Sequence, residues 1–95
     1  MEGKKFDGDK PMFNLIVPEY LNGIAKVLTM GAQKYDVNNW QKIDSDRYIA
    51  ALYRHLIAYH SGEKVDLESG FNHMLHIACN AMFLFWSDIN KKGDK

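Results

Sequence analysis

The sequence contains one cysteine, no excess of either charge and no long apolar run, and each absence excludes a class of protein. Cys79 alone cannot form an internal disulfide, and with no signal peptide at the start we expect a reducing, cytoplasmic compartment. Twelve basic and twelve acidic residues cancel, which argues against a nucleic-acid polymer or an acidic membrane as the partner. The longest apolar stretch, Met74 to Trp86, is shorter than the roughly 20 residues that span a bilayer.

The apolar residues that are present predict one small helical domain. With 95 residues, 46% of them hydrophobic, the chain can form a packed core, so we predict a single domain over residues 1–95, with a flexible stretch at 1–10. Helical spacing without strand alternation predicts an all-α bundle of three main helices. The predicted helices are Pro18 to Met30, ended by Gly31, then residues 46–61, capped by Asp44 or Ser45, and residues 70–90, capped by Ser69.

The third predicted helix is apolar on almost all sides, as a buried helix is. A chain with three helices has too little protein to cover such a helix. We therefore predict a homo-oligomer that assembles through the third helix, with binding pockets at the subunit interfaces.

Three polar residues interrupt this apolar helix at spacings of three and four, which places them on one face: His73, His76 and Asn80. Buried imidazoles and amides need hydrogen-bond partners or a ligand. One interpretation is a satisfied polar seam between helices or subunits. The other is a ligand site that these residues form with Arg54 and His55 of the second helix. Arg47 precedes Arg54 by almost two full turns, so both arginines project in nearly the same direction.

The segment "GAQKYDVNNW", residues 31–40, combines a positive charge, ring faces and amides between two helices. Lys34 supplies the charge, Tyr35 and Trp40 supply the rings, and Asn39 supplies an amide. A base stacked on an aromatic ring, with phosphates held by lysine and arginine, requires these residue types. The alternative is an ordinary loop with aromatic anchors on the core. Taken with the polar face of the third helix, the segment favours a phosphorylated, base-containing small molecule.

The ordered motifs G-A-x-K-Y with N-W, then R-H, G-E-x-x-D-x-E-S-G and H-x-x-H resemble the dATP/dGTP diphosphohydrolase N-terminal family over residues 5–86. This family is common in phages and is related to the MazG-like all-α pyrophosphatases. The resemblance implies a MazG-like fold, an oligomer, the host cytoplasm as compartment, and magnesium-dependent attack of water on a nucleoside triphosphate with release of pyrophosphate. The positions to which it points are Gly31, Lys34, Tyr35, Asn39, Trp40, Arg54, His55, Gly62, Glu63, Asp66, Glu68, Ser69, Gly70, His73, His76 and Asn80.

The sequence departs from the MazG pattern in its acidic residues. MazG-like proteins hold magnesium on two helical pairs, E-x-x-E and E-x-x-D, because several carboxylates neutralise the cations that bridge the phosphates. Here Glu19 is followed three residues later by Asn22, and the other two helices lack acids near the proposed site. The remaining carboxylates lie on a connector: Glu63, Asp66 and Glu68.

Three hypotheses follow from this departure. The first is capture without hydrolysis and without a cofactor, in which a sponge sequesters a nucleotide-derived ligand, for example a host immune signal such as a cyclic dinucleotide or an ADP-ribose derivative. The second is a magnesium-dependent hydrolase that converts dATP or dGTP to monophosphate and pyrophosphate, with Glu63, Asp66 and Glu68 at the metal and His55 or His73 as base. The third is a purely structural helical oligomer. The shortage of carboxylates favours the first.

Overall fold

The computed structural model describes Gly3 and residues 8–90, and within them the chain is all-helical. Three α-helices dominate: α1 at Pro18–Lys34, α2 at Ser45–His60 and α3 at His73–Asn90. Two short 3-10 helices, Phe13–Leu15 and Asn39–Lys42, precede α1 and α2. The described residues contain no strand, so the prediction of an all-α fold with three main helices is confirmed. The stretch predicted to be flexible, residues 1–10, lies mostly outside the described residues.

α3 is the helix against which the other two pack. It contacts both α1 and α2, whereas α1 and α2 hardly touch each other. Among the described residues, the apolar side chains that are almost fully buried are Val27 of α1 and Cys79 of α3. A gap between α1 and α2 therefore remains open above α3.

The predicted end of the first helix at Met30 is wrong. α1 continues through Gly31 to Lys34, and the N–H of Tyr35 donates to the carbonyl oxygen of Gly31 at 2.9 Å. A glycine inside a helix costs only about 1 kcal/mol relative to alanine. The alanine, glutamine and lysine that follow are good helix formers, so the helix extends past the glycine and takes up the first part of the 31–40 segment.

The second helix lies one residue from its predicted bounds, and its end has the predicted glycine. Gly62 has a φ of +110°, a conformation that favours glycine. Its N–H donates to the carbonyl of Tyr59, and the N–H of Glu63 donates to that of Ala58. These two bonds form a Schellman motif, which ends α2 and turns the chain into the 61–72 loop.

The predicted start of the third helix at residue 70 is also wrong, because Gly70 has a φ of +81° and α3 begins at His73. The side chain of Asn72 accepts the N–H of Met74 and so takes the capping role that was predicted for Ser69. Val65 pairs with Asn72 in an isolated antiparallel bridge. This bridge folds the acidic connector back onto the first turn of α3.

Adding a side chain at either of two glycines of α1 should have opposite effects on stability, because only one of them packs closely against α3. A Cβ on Gly23 would lie 2.7 Å from both Cδ atoms of Leu75, whereas nothing lies within 4 Å of one on Gly31. Gly23→Val should lower the free energy of unfolding by about 1–3 kcal/mol through overpacking. Gly31→Ala should raise it by about 0.5–1 kcal/mol through helix propensity. Urea unfolding measures both, and a shift of the two variants in the same direction would contradict this account of the crossing.

Candidate functional site

A cavity of about 780 Å³ lies between α1, the 35–43 segment, α2 and α3. Its wall includes apolar residues such as Val27 and Met82 together with polar groups. Seven of the residues that the sequence predicts for ligand binding line it: Tyr35, Asn39, Trp40, Arg47, Arg54, His76 and Asn80. The cavity thus brings together residues from the segment 31–40 and from the second and third predicted helices.

Two arginines provide the positive charge of the cavity. Arg47 and Arg54 are both exposed, and both line the same wall, as their spacing of almost two helical turns predicts. Guanidinium groups bind phosphate oxygens in a bidentate fashion and remain charged at any physiological pH. Among the described residues, the cavity wall contains one carboxylate, that of Asp36. The wall is therefore suited to an anionic ligand.

Aromatic packing fixes the segment that closes one side of the cavity. Trp40 stacks on Phe83 of α3, with ring centroids 4.6 Å apart and an interplanar angle of 19°, and meets Trp86 edge-on. The Tyr48 hydroxyl donates to the carbonyl oxygen of Trp40 at 2.6 Å. Burial raises the pKa of Tyr48 to about 12, although Arg47 opposes this, so its phenol stays a donor. One face of Trp40 is occupied by Phe83, whereas Tyr35 is 61% exposed.

A cluster of three histidines lies behind one wall of the cavity. The rings of His55 and His76 are stacked, with centroids 4.4 Å apart and an interplanar angle of 4°. The Nδ1 atoms of His55 and His73 are hydrogen-bonded at 2.8 Å. Of the three, His76 lines the cavity, and His73 is buried. The polar face of α3 is thus joined to α2 by imidazoles.

The 61–72 loop supplies a carboxylate to each side of this cluster. Glu63 Oε2 lies 2.7 Å from His73 Nε2. On the other side, the Ser69 hydroxyl donates to Asp66 Oδ2 at 2.9 Å and lies 2.7 Å from His76 Nε2. The buried side-chain polar atoms of the described residues all have hydrogen-bond partners. The loop therefore positions the imidazoles through two chains of hydrogen bonds.

These bonds determine which ring nitrogens can accept a proton. The Glu63 carboxylate can only accept, so the Nε2–H of His73 donates to it; in the neutral ring, Nδ1 then accepts from the Nδ1–H of His55. This leaves Nε2 of His55 without a proton. Because Ser69 donates its hydroxyl proton to Asp66, the Nε2–H of His76 donates to Ser69 and leaves Nδ1 as the acceptor. Each chain of hydrogen bonds thus leaves one ring nitrogen that can accept a proton: Nε2 of His55 in the first and Nδ1 of His76 in the second.

The surroundings keep two of these rings neutral near pH 7. Burial lowers the pKa of His55 below its ordinary 6.5, and the rings of His76 and His73 lower it further, while Asp66 acts in the opposite direction. Burial likewise lowers the pKa of His76, against the opposing charge of Asp66. The pKa of Asp66 is lowered in spite of its burial, by hydrogen bonds from Ser69 and the Glu68 backbone. Neutral imidazoles beside an ionised carboxylate can accept protons.

The lowered pKa values predict that the folded protein loses stability on acidification. As the pH falls below 6.5, the unfolded chain binds protons on these histidines before the folded chain does, so the free energy of unfolding decreases until the pH is below the folded-state values. Urea midpoints measured from roughly pH 8 to roughly pH 5 test this. His55→Gln should flatten the dependence. His60→Gln, at the exposed end of α2, should leave the pH dependence unchanged. An equal effect of the two substitutions would contradict the assignment of the pH dependence to the histidine cluster.

Glu63, Asp66 and His73 form a group that could hold a metal ion, since one potential ligand atom from each lies within 4.8 Å of the others. Glu68, which the sequence places with the metal ligands, is exposed and lies outside this group. Its backbone N–H instead donates to Asp66 at 3.4 Å. The buried His73, and not Glu68, is the third member of this group.

Three further predicted ligand residues do not line the cavity. Lys34 lies at the last turn of α1 with its ammonium 5.3 Å from the Tyr35 ring centroid, and His55 and His73 stand behind His76. Sequence reasoning missed Tyr48, which lines the cavity and anchors Trp40. Its position was detectable, since Ala51, three residues later on the same helix face, also lines the cavity.

Arginines, ring faces and imidazoles around one cavity are the residue types that a phosphorylated, base-containing small molecule requires, and the comparisons agree with this class. The family described as dATP/dGTP diphosphohydrolase, N-terminal, matches residues 1–95, and the chain belongs to this family. It is 38% identical over 86 residues to the dATP/dGTP diphosphohydrolase of Salmonella phage PMBT28. That match covers 90% of this chain but 30% of the relative, so the chain spans about a third of the relative's length.

No solved structure matches the chain. None of the helices in the described residues is long and apolar enough to cross a membrane.

Proposed function

We propose that this chain binds a purine deoxynucleoside triphosphate in the cavity and hydrolyses it to the monophosphate and pyrophosphate. The observation that carries the proposal is the position of His76, which lines the same cavity as Arg54 and is also part of the histidine–carboxylate cluster. An anion-binding wall is thereby adjacent to groups that can move a proton. Membership of the family and the name of the phage relative support the substrate class.

The arginines and the aromatic rings of the cavity would bind different parts of the nucleotide. Arg47 and Arg54 hold the phosphates through bidentate hydrogen bonds. The base stacks on the exposed ring of Tyr35, because Trp40 already contacts Phe83 and Trp86. Asn39 and Asn80 offer amides to the sugar or to the base edge. Such an apolar pocket with a few convergent polar groups is typical of small-molecule sites.

The residues of the 61–72 loop fit a divalent cation. Glu63 and Asp66 supply carboxylate oxygens, which magnesium prefers, and the pKa of Asp66 is lowered, which keeps it ionised. His73 would contribute a nitrogen only by giving up its bond to Glu63, so the two carboxylates are the proposed ligands. The cation would neutralise phosphate charge as the bond to pyrophosphate breaks.

The imidazoles would provide the base. A water molecule that attacks phosphorus must lose a proton, and a neutral imidazole with a pKa near or below 7 is suited to accept it. Because the Nε2–H of His76 donates to Ser69, Nδ1 of His76 is left as an acceptor, and the stacked His55 has its own unprotonated nitrogen, Nε2. His76 is therefore the proposed base, because it lines the cavity, whereas the two predicted candidates, His55 and His73, do not line it and stand behind His76.

The comparisons favour hydrolysis over the first hypothesis of the sequence analysis, capture by a sponge. They relate the chain to nucleotide hydrolysis, and nothing in them supports an immune signal as the ligand. The shortage of acids in the sequence concerns the helices, whereas the 61–72 loop brings two carboxylates against the imidazoles. The shortage of helical acids is therefore a weaker argument for capture than the sequence indicated.

One experiment distinguishes the three hypotheses. The protein is incubated with a panel of nucleotides, with and without magnesium, then heat-denatured, and the released compounds are identified. Monophosphate and pyrophosphate that form from dATP or dGTP only with magnesium are the expected result. Intact nucleotide recovered in both conditions would support capture instead, and no bound nucleotide at all would leave a structural role. A parallel incubation with cyclic dinucleotides and ADP-ribose tests the sponge directly.

A further inference from the structure

The cavity whose arginines are suited to phosphates also carries a negative charge, the carboxylate of Asp36. Among the described residues, this exposed side chain is the one acid in the cavity wall. A carboxylate repels the phosphates of a nucleotide, which bind the guanidinium groups of Arg47 and Arg54 instead. Asp36 therefore suits a part of the ligand that carries hydrogen-bond donors, which is the base or the sugar.

The fold does not use the Asp36 side chain. Aspartate in a turn often accepts the backbone N–H two residues later, as Asp66 does from Glu68 at 3.4 Å. Among the described residues, none donates a hydrogen bond to the Asp36 carboxylate or forms an ion pair with it. Its backbone carbonyl accepts the N–H of Asn39 at 3.1 Å, so the turn closes without the side chain. The carboxylate is thus available to a ligand.

The backbone around Asp36 holds it beside the proposed stacking surface. The bond from Asn39 closes a turn in which Asn38 has a φ of +61°, a conformation that asparagine tolerates. Trp40 then anchors the segment on α3. Tyr35, whose exposed ring is the proposed surface for the base, directly precedes Asp36, with Cα atoms about 3.8 Å apart. Both residues line the cavity, so a base stacked on the ring lies near the carboxylate.

We propose that Asp36 recognises the Watson–Crick edge of guanine and gives the cavity a preference for dGTP over dATP. This inference rests on the proposed function, because it names the base that the same cavity selects. Guanine presents two neighbouring donors on this edge, N1–H and the N2 amino group, which match the two oxygens of a carboxylate. Adenine has an acceptor at N1 and no N2 amino group. A site that pairs with donors disfavours an analogue that lacks them.

The sugar is the other donor-bearing part of the nucleotide. A bond from its 3′-hydroxyl to Asp36 would be the same in dGTP and dATP, so it would give no preference between them. The position of the carboxylate next to Tyr35 favours the base. The two contacts therefore predict different results when both nucleotides are compared on one variant.

Isothermal titration with hydrolysis-resistant analogues of dGTP, dATP and deoxyinosine triphosphate tests the preference. Wild type should bind the dGTP analogue roughly 10–100-fold more tightly than the dATP analogue. The deoxyinosine analogue, which keeps N1–H and lacks the N2 amino group, should fall between them. Asp36→Asn should weaken binding of the dGTP analogue at least about 10-fold, because the amide sets a donor against one of the two guanine donors. Binding of the dATP analogue should be unchanged or stronger.

Asp46→Asn is the matched control. Asp46 is an exposed acid in the first turn of α2 that does not line the cavity, so its substitution should leave both affinities unchanged. Equal binding of the dGTP and dATP analogues by wild type would overturn the proposal. An equal loss for both analogues in Asp36→Asn would also overturn it and place the carboxylate at the sugar. Circular dichroism verifies that each variant is folded.

Hydrolysis of dGTP and dATP with magnesium is measured separately, so that the two proposals fail in different ways. A binding preference that depends on Asp36, without hydrolysis, would support the assignment of Asp36 and contradict only the proposed activity. Hydrolysis without a preference would contradict the assignment of Asp36 alone. Failure of wild type to bind either analogue would overturn both proposals.

Discussion

Arg54→Glu should abolish nucleotide uptake by this protein, raising the dissociation constant for dATP at least about 100-fold, which corresponds to roughly 2.7 kcal/mol. Arg54 lines the cavity together with His76 and Asn80. Its replacement removes charge-assisted hydrogen bonds to the phosphates and sets a carboxylate against them. Isothermal titration with a nucleotide analogue that resists hydrolysis measures binding without turnover. The size of the protein in solution should not change.

Two charge reversals on α1 sharpen this test. Lys26→Glu makes the same change of charge outside the cavity and should leave the dissociation constant nearly unchanged at physiological salt. Lys34→Glu tests a residue that the sequence predicts as a phosphate ligand but that the structure leaves off the cavity wall. A small effect of Lys34→Glu is therefore expected. If Arg54→Glu binds dATP as wild type does, the ligand does not occupy this cavity.

Glu63→Gln should reduce kcat for dATP hydrolysis at least about 100-fold while KM changes little, because general base catalysis and its positioning contribute factors of this size. Glutamine is isosteric and keeps an acceptor for His73 Nε2, so the fold should remain intact. It removes the charge that orients the histidine and that would bind a divalent cation. Steady-state kinetics with magnesium, together with binding of Mn²⁺ by electron paramagnetic resonance, measure the two effects separately.

Glu68→Gln is the matched control for this prediction. Both glutamates lie on the same loop and are exposed, but Glu68 lies outside the group that could hold a metal. Wild-type kcat and Mn²⁺ affinity are expected for it. An equal loss in both variants would return Glu68 to the set of metal ligands that the sequence predicts.

The sequence located the helices well but misplaced two of their ends. Gly31 looks like a helix terminus, yet a helix can continue through a glycine when good helix formers follow and no competing turn intervenes. At residue 70, by contrast, local sequence did not reveal that Val65 pairs with Asn72. That bridge joins residues seven apart, and it delays the start of α3 to His73. Helix propensity alone does not include such contacts between residues of a loop and a helix end.

The candidate site was predictable in its residue types and less so in its arrangement. The helical spacing of Arg47 and Arg54, and of His76 and Asn80, placed each pair on one face, and all four line the cavity. The sequence could not predict which histidine lines the cavity, because the positions of the three rings depend on tertiary packing. His76 lines the cavity, whereas His73 lies behind it, although both occupy the same helix face three residues apart.

The sequence by itself determined that the chain is helical and which family it resembles, and it predicted cationic, aromatic and imidazole residues for the candidate site. These properties follow from local periodicity and from ordered motifs. Only the tertiary structure decided that the acidic 61–72 loop folds onto α3, so that Glu63 and Asp66 meet His73 and His76. The physical reason is that turn hydrogen bonds and a left-handed Gly70 set the path of that loop, and the contacts it makes join elements that spacing along one helix cannot relate.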